Sequence, residues 1–257
     1  MNWAYHRRVV SPSELGPSTS RDLIAASPVV VIPVGSTEQH GPHLPLDTDT
    51  RIATAVATAA TRVVAETAAQ NGLDDADAGP RYLLAPAVPY GASGEHEGFA
   101  GTVSIGTEAL RHVLVEFGRS ATHWAGRLVF VNGHGGNVEA LRAAVRLLRS
   151  EGRDAAWSSC TVRGGDAHAG HTETSVLLHI SPSEVRFEHS RPGNCAPLVD
   201  LMPSMRRGGV AAVSEVGILG DPTTATAEEG RRLFAEMVAD CAQRLRRWTP
   251  RDDGMLV

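Results

Sequence analysis

Glu38, His40, His43, Asp47 and Asp49 crowd into one short part of the chain, within the stretch VVVIPVGSTEQHGPHLPLDTDTR that runs from Val29 to Arg51. Carboxylates and imidazoles are the donors that Zn²⁺, Mn²⁺ or Fe²⁺ accepts. Glu38 and His40 are two residues apart, so in extended chain their side chains point the same way. Three further groups repeat the chemistry. Glu95, His96 and Glu97 lie in a glycine-rich segment, His134 sits in Asn-Gly-His-Gly-Gly-Asn at residues 132–137, and His168, His171 and Glu173 follow Gly165. Six of the eleven histidines fall in these four clusters. Taken singly, each histidine reads as a surface or hydrogen-bonded residue; four clusters at the same kind of place read as a bound metal. A hydrolytic two-metal centre needs a bridging carboxylate, further ligands on each ion and open positions for water and substrate, and it brings its water to a pKa of roughly 7. Glu38, His40, Asp49, His134 and Glu173 could supply five such ligands.

The elements that must hold these residues follow from periodicity. Val29 to Val34 is an apolar, β-branched run with the pattern of a strand buried on both faces. A helix is expected from Thr50 to about Gln70, with Asp49 as its N-cap. Tyr82 to Val88 reads as a second strand despite Pro86, Thr102 to Ile105 as a short one, and Thr107 to Ser120 as a helix with Leu110, Val113, Leu114 and Phe117 inward. Leu128 to Val131 is a buried strand leading straight into the His134 motif, and a helix follows from Val138 to about Ser150. Ala155 to Val162 suggests another strand. His168, His171 and Glu173 open an apolar helix ending at Ile180, Ser181 to Thr224 is loop-rich, and a last helix spans roughly Ala225 to Trp248. The polar start, Met1 to Ser27, offers a short helix at Ser20 to Ala26 and is expected to pack over the core or a neighbouring subunit; Asn71 to Pro80 reads as a loop. Strands alternating with helices define an α/β domain, and such sheets bind ligands beyond the carboxyl ends of their strands.

At 257 residues the regular alternation favours one domain, residues 1–257, over two small ones. The net charge of −5, without blocks of like charge, suggests neither nucleic acid nor an anionic membrane as partner. Arg142, Arg146, Arg149 and Arg153 recur at helical spacing, as a solvated helix face or an anion-binding patch. The chain has no lysine, all 24 basic side chains being arginine, which excludes Schiff-base chemistry and a Walker-type phosphate loop. No apolar run approaches the length of a membrane span and no signal-like start is present, which points to a soluble cytoplasmic protein. Cys160, Cys195 and Cys241 are too few and too far apart for a disulfide framework, and are expected to be reduced and structural.

Gly-Ser-Thr-Glu-Gln-His-Gly-Pro-His-Leu-Pro-Leu from Gly35, Asn-Gly-His-Gly-Gly-Asn, His-Ala-Gly-x-x-Glu-Thr-Ser and Gly-Asp-Pro-x-x-Ala-Thr together resemble the creatininase family of metal-dependent amidohydrolases, over about Val29 to Gly230. The resemblance implies a three-layer α/β/α creatininase-like fold with a mostly parallel central sheet, a homohexamer or similar ring, and two divalent ions per subunit, zinc, ferrous iron or manganese. It assigns Glu38, Asp49 and His134 to one ion and His40 and Asp49 to the other, with Asp49 bridging. Where creatininase has a metal-binding glutamate this chain has Gly136, so Glu173 is the candidate for the missing ligand and creatinine is in doubt as substrate. His168 resembles the family's proton-transfer histidine. His43 is expected to hydrogen-bond a ligand rather than be one, Asp47 to be a solvated loop carboxylate, and Glu95 and His96 either to shape the pocket or to fix their loop. Tyr5-His-Arg-Arg-Val, Gly-Glu-His-Glu-Gly-Phe-Ala-Gly-Thr-Val-Ser-Ile-Gly and Asp47 resemble a branch that trims a modified ribosomal precursor peptide, releasing a C-terminal Val-Tyr dipeptide during redox-cofactor biosynthesis. The alternatives are a hydrolase of a small cyclic amide or formamide, and a non-catalytic binding protein whose metals only hold its loops.

Overall fold

The computed structural model describes residues 13–23, 27–70 and 81–257. Most of the expected packing of Met1–Ser27, the Tyr5 motif and the loop Asn71–Pro80 lie outside them. The described part of the start holds a two-residue strand, β1 (Ser13–Glu14), and one helical turn, α1 (Ser20–Leu23). Strand β2 (Val29–Val34) is buried at every residue. Val30, Ile32 and Val34 enter one apolar cluster while Val29 and Val31 enter another, as the two-residue period of a strand requires. Burying each such side chain contributes roughly 1.5–3 kcal/mol, which is why β-branched residues fill this strand.

Helix α2 (Thr48–Gln70) leads to β3 (Tyr82–Leu84), α3 (Gly106–Ala121) to β4 (Arg127–Asn132), and α4 (Val138–Ser150) to β5 (Ala155–Ser159). The strands form a parallel sheet in the order β1-β3-β2-β4-β5. After β5 come α5 (His171–Ile180), α6 (Leu198–Gly208) and α7 (Ala227–Arg247). Side chains of α2, α5 and α7 cover one face of the sheet and those of α3 and α4 the other, which is the expected α/β/α sandwich. The chain leaves β2 toward β3 on one side and leaves β4 toward β5 on the other. Beyond the carboxyl ends of β2 and β4 it therefore opens the crevice where α/β sheets take ligands.

Several expectations are corrected. Thr102–Ile105 is not a strand: it crosses loop ends, its bonds running from Val103 N–H to the Thr37 carbonyl and from Ile105 N–H to that of Gly91. The Tyr82 strand stops at Leu84, with a lone bridge between Val34 and Val88. Val113 is 43% exposed, because the buried stripe of α3 runs through Leu110, Leu114, Val115 and Gly118. The Ser181–Thr224 region contains α6 despite Pro203. Proline removes one backbone donor, and the carbonyl four residues earlier belongs to Val199, itself 75% exposed and open to water. Leu201 anchors α6 in a small apolar cluster with Val210 and Leu219.

Of the four arginines on α4 and its end, Arg142 pairs with Asp253, Arg149 donates to the Ala155 carbonyl and Arg153 pairs with Glu151. Cys160, Cys195 and Cys241 are free, and Cys195 is exposed. No helix among the described residues is long and apolar enough to cross a membrane.

Candidate metal centre

Three strand ends converge on the crevice, and the motif asparagines hold them together. Asn137 donates from Nδ2 to the Gly35 carbonyl beyond β2 (2.9 Å) and accepts at Oδ1 the Ala92 N–H beyond β3 (2.9 Å). Asn132 donates to the His134 carbonyl at 2.7 Å. A Cβ on Gly35 would lie 2.3 Å from Thr50 Oγ1, and one on Gly133 2.4 Å from the Asp49 carbonyl. Glycine at both places lets the first turn of α2 enter between the loops.

Asp49 is therefore not the N-cap of α2. The helix begins at Thr48, and the buried Asp49 carboxylate turns into the crevice. It accepts the Ser36 hydroxyl at 2.7 Å and faces His40 Nε2 and His134 Nδ1, each at 3.1 Å. Glu38 lies beside it, with Oε2 3.2 Å from His134 Nε2 and Oε1 3.4 Å from His96 Nε2. His40 Nε2 is also 3.8 Å from Glu173 Oε2. The five residues expected to bind metal are thus brought together. Glu38, His40 and Asp49 place donor atoms within 4.8 Å of one another, as do His40, His168 and Glu173.

Electrostatics separates the members of this cluster. Burial raises the Glu38 and Glu173 carboxyls to about 7. Burial opposes charge on His40 and His134 as well, but facing carboxylates prevail: Asp49 and then Glu173 lift His40 to about 10, Glu38 and Asp49 lift His134 to about 9. Burial also works against the Asp49 anion, yet His40 and His134 hold it well below the usual carboxylate range. His96 is pushed down to about 3 by burial and the nearby His134 and His40. Burial and the same kind of imidazole neighbours, His40 and His96, keep His168 neutral.

The donor set fits divalent cations. Both Glu38 carboxylate oxygens are buried and have no hydrogen-bond partner among the described residues. A buried carboxylate without donors is costly unless a cation supplies the missing interaction.

Glu173 is fixed by the turn ahead of α5. It accepts the Ala169 N–H at 2.6 Å, and Ala169 stands in the left-handed region at φ 52°. A non-glycine residue there costs on the order of 1–3 kcal/mol. Gly136 leaves no room for the glutamate that creatininase carries: a Cβ there would lie 2.3 Å from the Ala92 carbonyl, 2.5 Å from His134 Nε2 and 2.8 Å from Glu95 Oε1. Glu95 reaches to 3.7 Å from His134 Nε2, so its carboxylate stands beside the position a side chain at 136 would take.

Gln39 is the residue that motif reading missed, because an amide between two candidate ligands has no spacing signature of its own. Its Nε2 donates to the Gly217 carbonyl (2.9 Å) and lies 2.9 Å from His96 Nδ1. Its backbone carbonyl lies 2.8 Å from His168 Nε2. The Gln39 amide nitrogen also lies 3.0 Å from His168 Nε2; with its second proton given to His96 Nδ1, the carbonyl accepts the His168 Nε2 proton and leaves Nδ1 toward Glu38 Oε1, 3.7 Å away. His43 stands apart, its Nε2 2.8 Å from Thr174 Oγ1, and Asp47 pairs with Arg51 at the surface.

Asp49, His96, His134, His168 and Glu173 line a cavity of about 440 Å³ that also meets Leu198, Met202, Met205 and Arg206 of α6. A parallel α/β/α sandwich with a buried carboxylate–imidazole centre at its switch point has the design of a metallohydrolase. The chain belongs to the creatininase family of metal-dependent amidohydrolases: the family model described as creatinine amidohydrolase matches residues 14–245. It is 67% identical over 257 residues, the whole of both chains, to the mycofactocin precursor peptide peptidase of Mycobacterium tuberculosis (strain CDC 1551 / Oshkosh). It is 65% identical to that of Mycolicibacterium smegmatis (strain ATCC 700084 / mc(2)155), again over all of both chains. Among solved structures, one described as "Creatininase Mn" superposes with a TM-score of 0.70 at 27% identity, covering 92% of this chain and 98% of that one.

Proposed function

We propose that the chain is a metal-dependent peptidase that hydrolyses the modified mycofactocin precursor peptide near its C-terminus, releasing a Val-Tyr dipeptide during redox-cofactor biosynthesis. The observation that carries this reading is Glu38, buried with both oxygens unpartnered beside His134 and His96, two residues that line an open cavity. The 65–67% identity to curated peptidases of that name supports the substrate.

In this reading Glu38, Asp49 and His134 would hold one divalent ion and His40, Asp49 and Glu173 a second. Bound ions of this kind supply water that ionises near neutral pH and positive charge for the carbonyl oxygen under attack. The protein's own groups supply the rest. The cavity presents the peptide carbonyl to the cluster. His168, kept neutral by burial and neighbouring imidazoles, accepts a proton at Nδ1 and passes it to the departing amine. Glu173, fixed by the Ala169 N–H, orients the His40 side of the centre. We further infer a cytoplasmic homo-oligomer and assign zinc, ferrous iron or manganese to the site, all three suiting mixed carboxylate and imidazole ligands.

The test is mass spectrometry of the modified precursor peptide incubated with chelated protein and with protein reloaded with Zn²⁺, Fe²⁺ or Mn²⁺. Metal-dependent loss of a C-terminal dipeptide is expected. An uncut peptide beside metal-replete protein that opens cyclic amides or formamides would move the chain to the small-amide branch.

A further inference from the structure

The carboxylate and imidazole lining of the cavity is explained by the metal centre, but its α6 wall is not. Leu198, Met202, Met205 and Arg206 fall at positions i, i+4, i+7 and i+8 of α6, so one stripe of that helix lines the cavity. The stripe is apolar for three residues and ends in a guanidinium. Leu198 is 44% exposed, so its side chain is open to a group entering the cavity.

Arg206 is the one arginine among the cavity-lining residues. Among the described residues it makes no ion pair or side-chain hydrogen bond, whereas its neighbour Arg207, absent from the cavity lining, donates to Ser204 Oγ at 3.1 Å. The same cavity is lined by the carboxylates of Asp49, Glu95 and Glu173. An anionic end group entering the cavity is repelled by those carboxylates unless cations hold them, and it finds uncommitted donors at Arg206. Guanidinium pairs with carboxylate through two parallel hydrogen bonds, which fixes direction as well as charge.

On the reading that the substrate is a peptide cut near its C-terminus, we propose that the α6 stripe is the subsite for the last residue. Arg206 receives the free terminal carboxylate, and Leu198, Met202 and Met205 pack against the terminal side chain. Flexible methionine side chains shape themselves to a large apolar or aromatic group. The cavity volume is in the range of small-ligand pockets, about 300–1,000 Å³, and so suits the end of a chain rather than its middle. The anchoring of Leu201 with Val210 and Leu219 keeps α6, and with it the backbone of Arg206, at a constant position relative to the carboxylate–imidazole cluster. That spacing is what makes the enzyme count residues from the C-terminus.

The experiment compares two substrates, the modified precursor peptide as free acid and the same peptide ending in a carboxamide, on metal-loaded wild type, Arg206→Gln, Arg206→Lys and Arg207→Gln. Wild type is expected to prefer the acid by at least tenfold in kcat/KM. Arg206→Gln raises KM for the acid at least tenfold, keeps kcat within about twofold, and leaves the amide unchanged; Arg206→Lys recovers part of the preference. Arg207→Gln behaves as wild type, and metal content is equal in all four proteins. Equal cleavage of acid and amide by wild type, or an equal loss on both substrates in Arg206→Gln, overturns the subsite and leaves the peptidase intact. Failure of metal-loaded wild type to cut either peptide overturns the peptidase reading, and the subsite falls with it.

Discussion

Glu38 shows how much a single residue contributes to the case for a metal centre. Its carboxylate is buried among imidazoles, without a hydrogen-bond donor among the described residues, and its pKa is raised to about 7 by that burial. A proton and a divalent ion therefore compete for the same oxygens, and the ion wins as the pH rises. Metal content after equilibration at fixed free metal is expected to climb from pH 6 to pH 8, since the deprotonated carboxylate is the ligand form. Glu38→Gln keeps the shape of the side chain and removes the charge. It is expected to lose at least one equivalent of metal by elemental analysis and more than 100-fold in peptide hydrolysis. Retention of full metal and activity in that variant would show that Glu38 is a structural acid only.

At the scale of elements, the centre depends on loops rather than on strands. The Asn-Gly-His-Gly-Gly-Asn motif works as a tie, with Asn137 satisfying a carbonyl beyond β2 and an N–H beyond β3. Asn137→Ala strips a partner from both buried backbone groups, at a cost of about 1–3 kcal/mol for each group left unsatisfied. Denaturant unfolding is expected to report a loss of about 2–5 kcal/mol, together with weaker metal retention, because His134 sits on the same loop. A loss under about 0.5 kcal/mol would mean that water replaces the amide without cost. The α2 start follows the same logic, as Asp49 gives up the capping role its position suggests and is satisfied by Ser36, His40 and His134.

For the whole molecule, the crevice brings together groups from the loop after β2, the first turn of α2, the Gly94–His96 turn, the loop after β4 and α5, so a cation bound there would tie both halves of the sheet. Anything that binds only the folded state stabilises it by mass action, by about 4 kcal/mol at a thousandfold excess over Kd. Chelation is expected to lower the thermal midpoint by about 5–15 °C, and readdition of metal to restore it. A midpoint indifferent to chelation would mean that the centre contributes nothing to holding these elements together.

Much of this was legible without coordinates. The buried β2 and β4 strands, the helices that follow them and the five-residue donor set come from periods of two and 3.6 and from the affinity of carboxylates and imidazoles for cations, which are local properties of the chain. The creatininase resemblance rested on the same motifs, and the family match bears it out. What local pattern could not carry was anything decided by the approach of distant segments. The capping role of Asp49, the strand at Thr102, the missing helix at Leu198–Gly208 and the inward Val113 all changed because tertiary neighbours outweighed local propensity. Gln39 joins the site only because folding sets residue 39 beside residues 96, 168 and 217. The type of chemistry was thus written in residue identity. The geometry of the centre, the steric exclusion at Gly136 and the α6 wall with Arg206 arise only when five separate stretches are packed at the carboxyl end of one sheet.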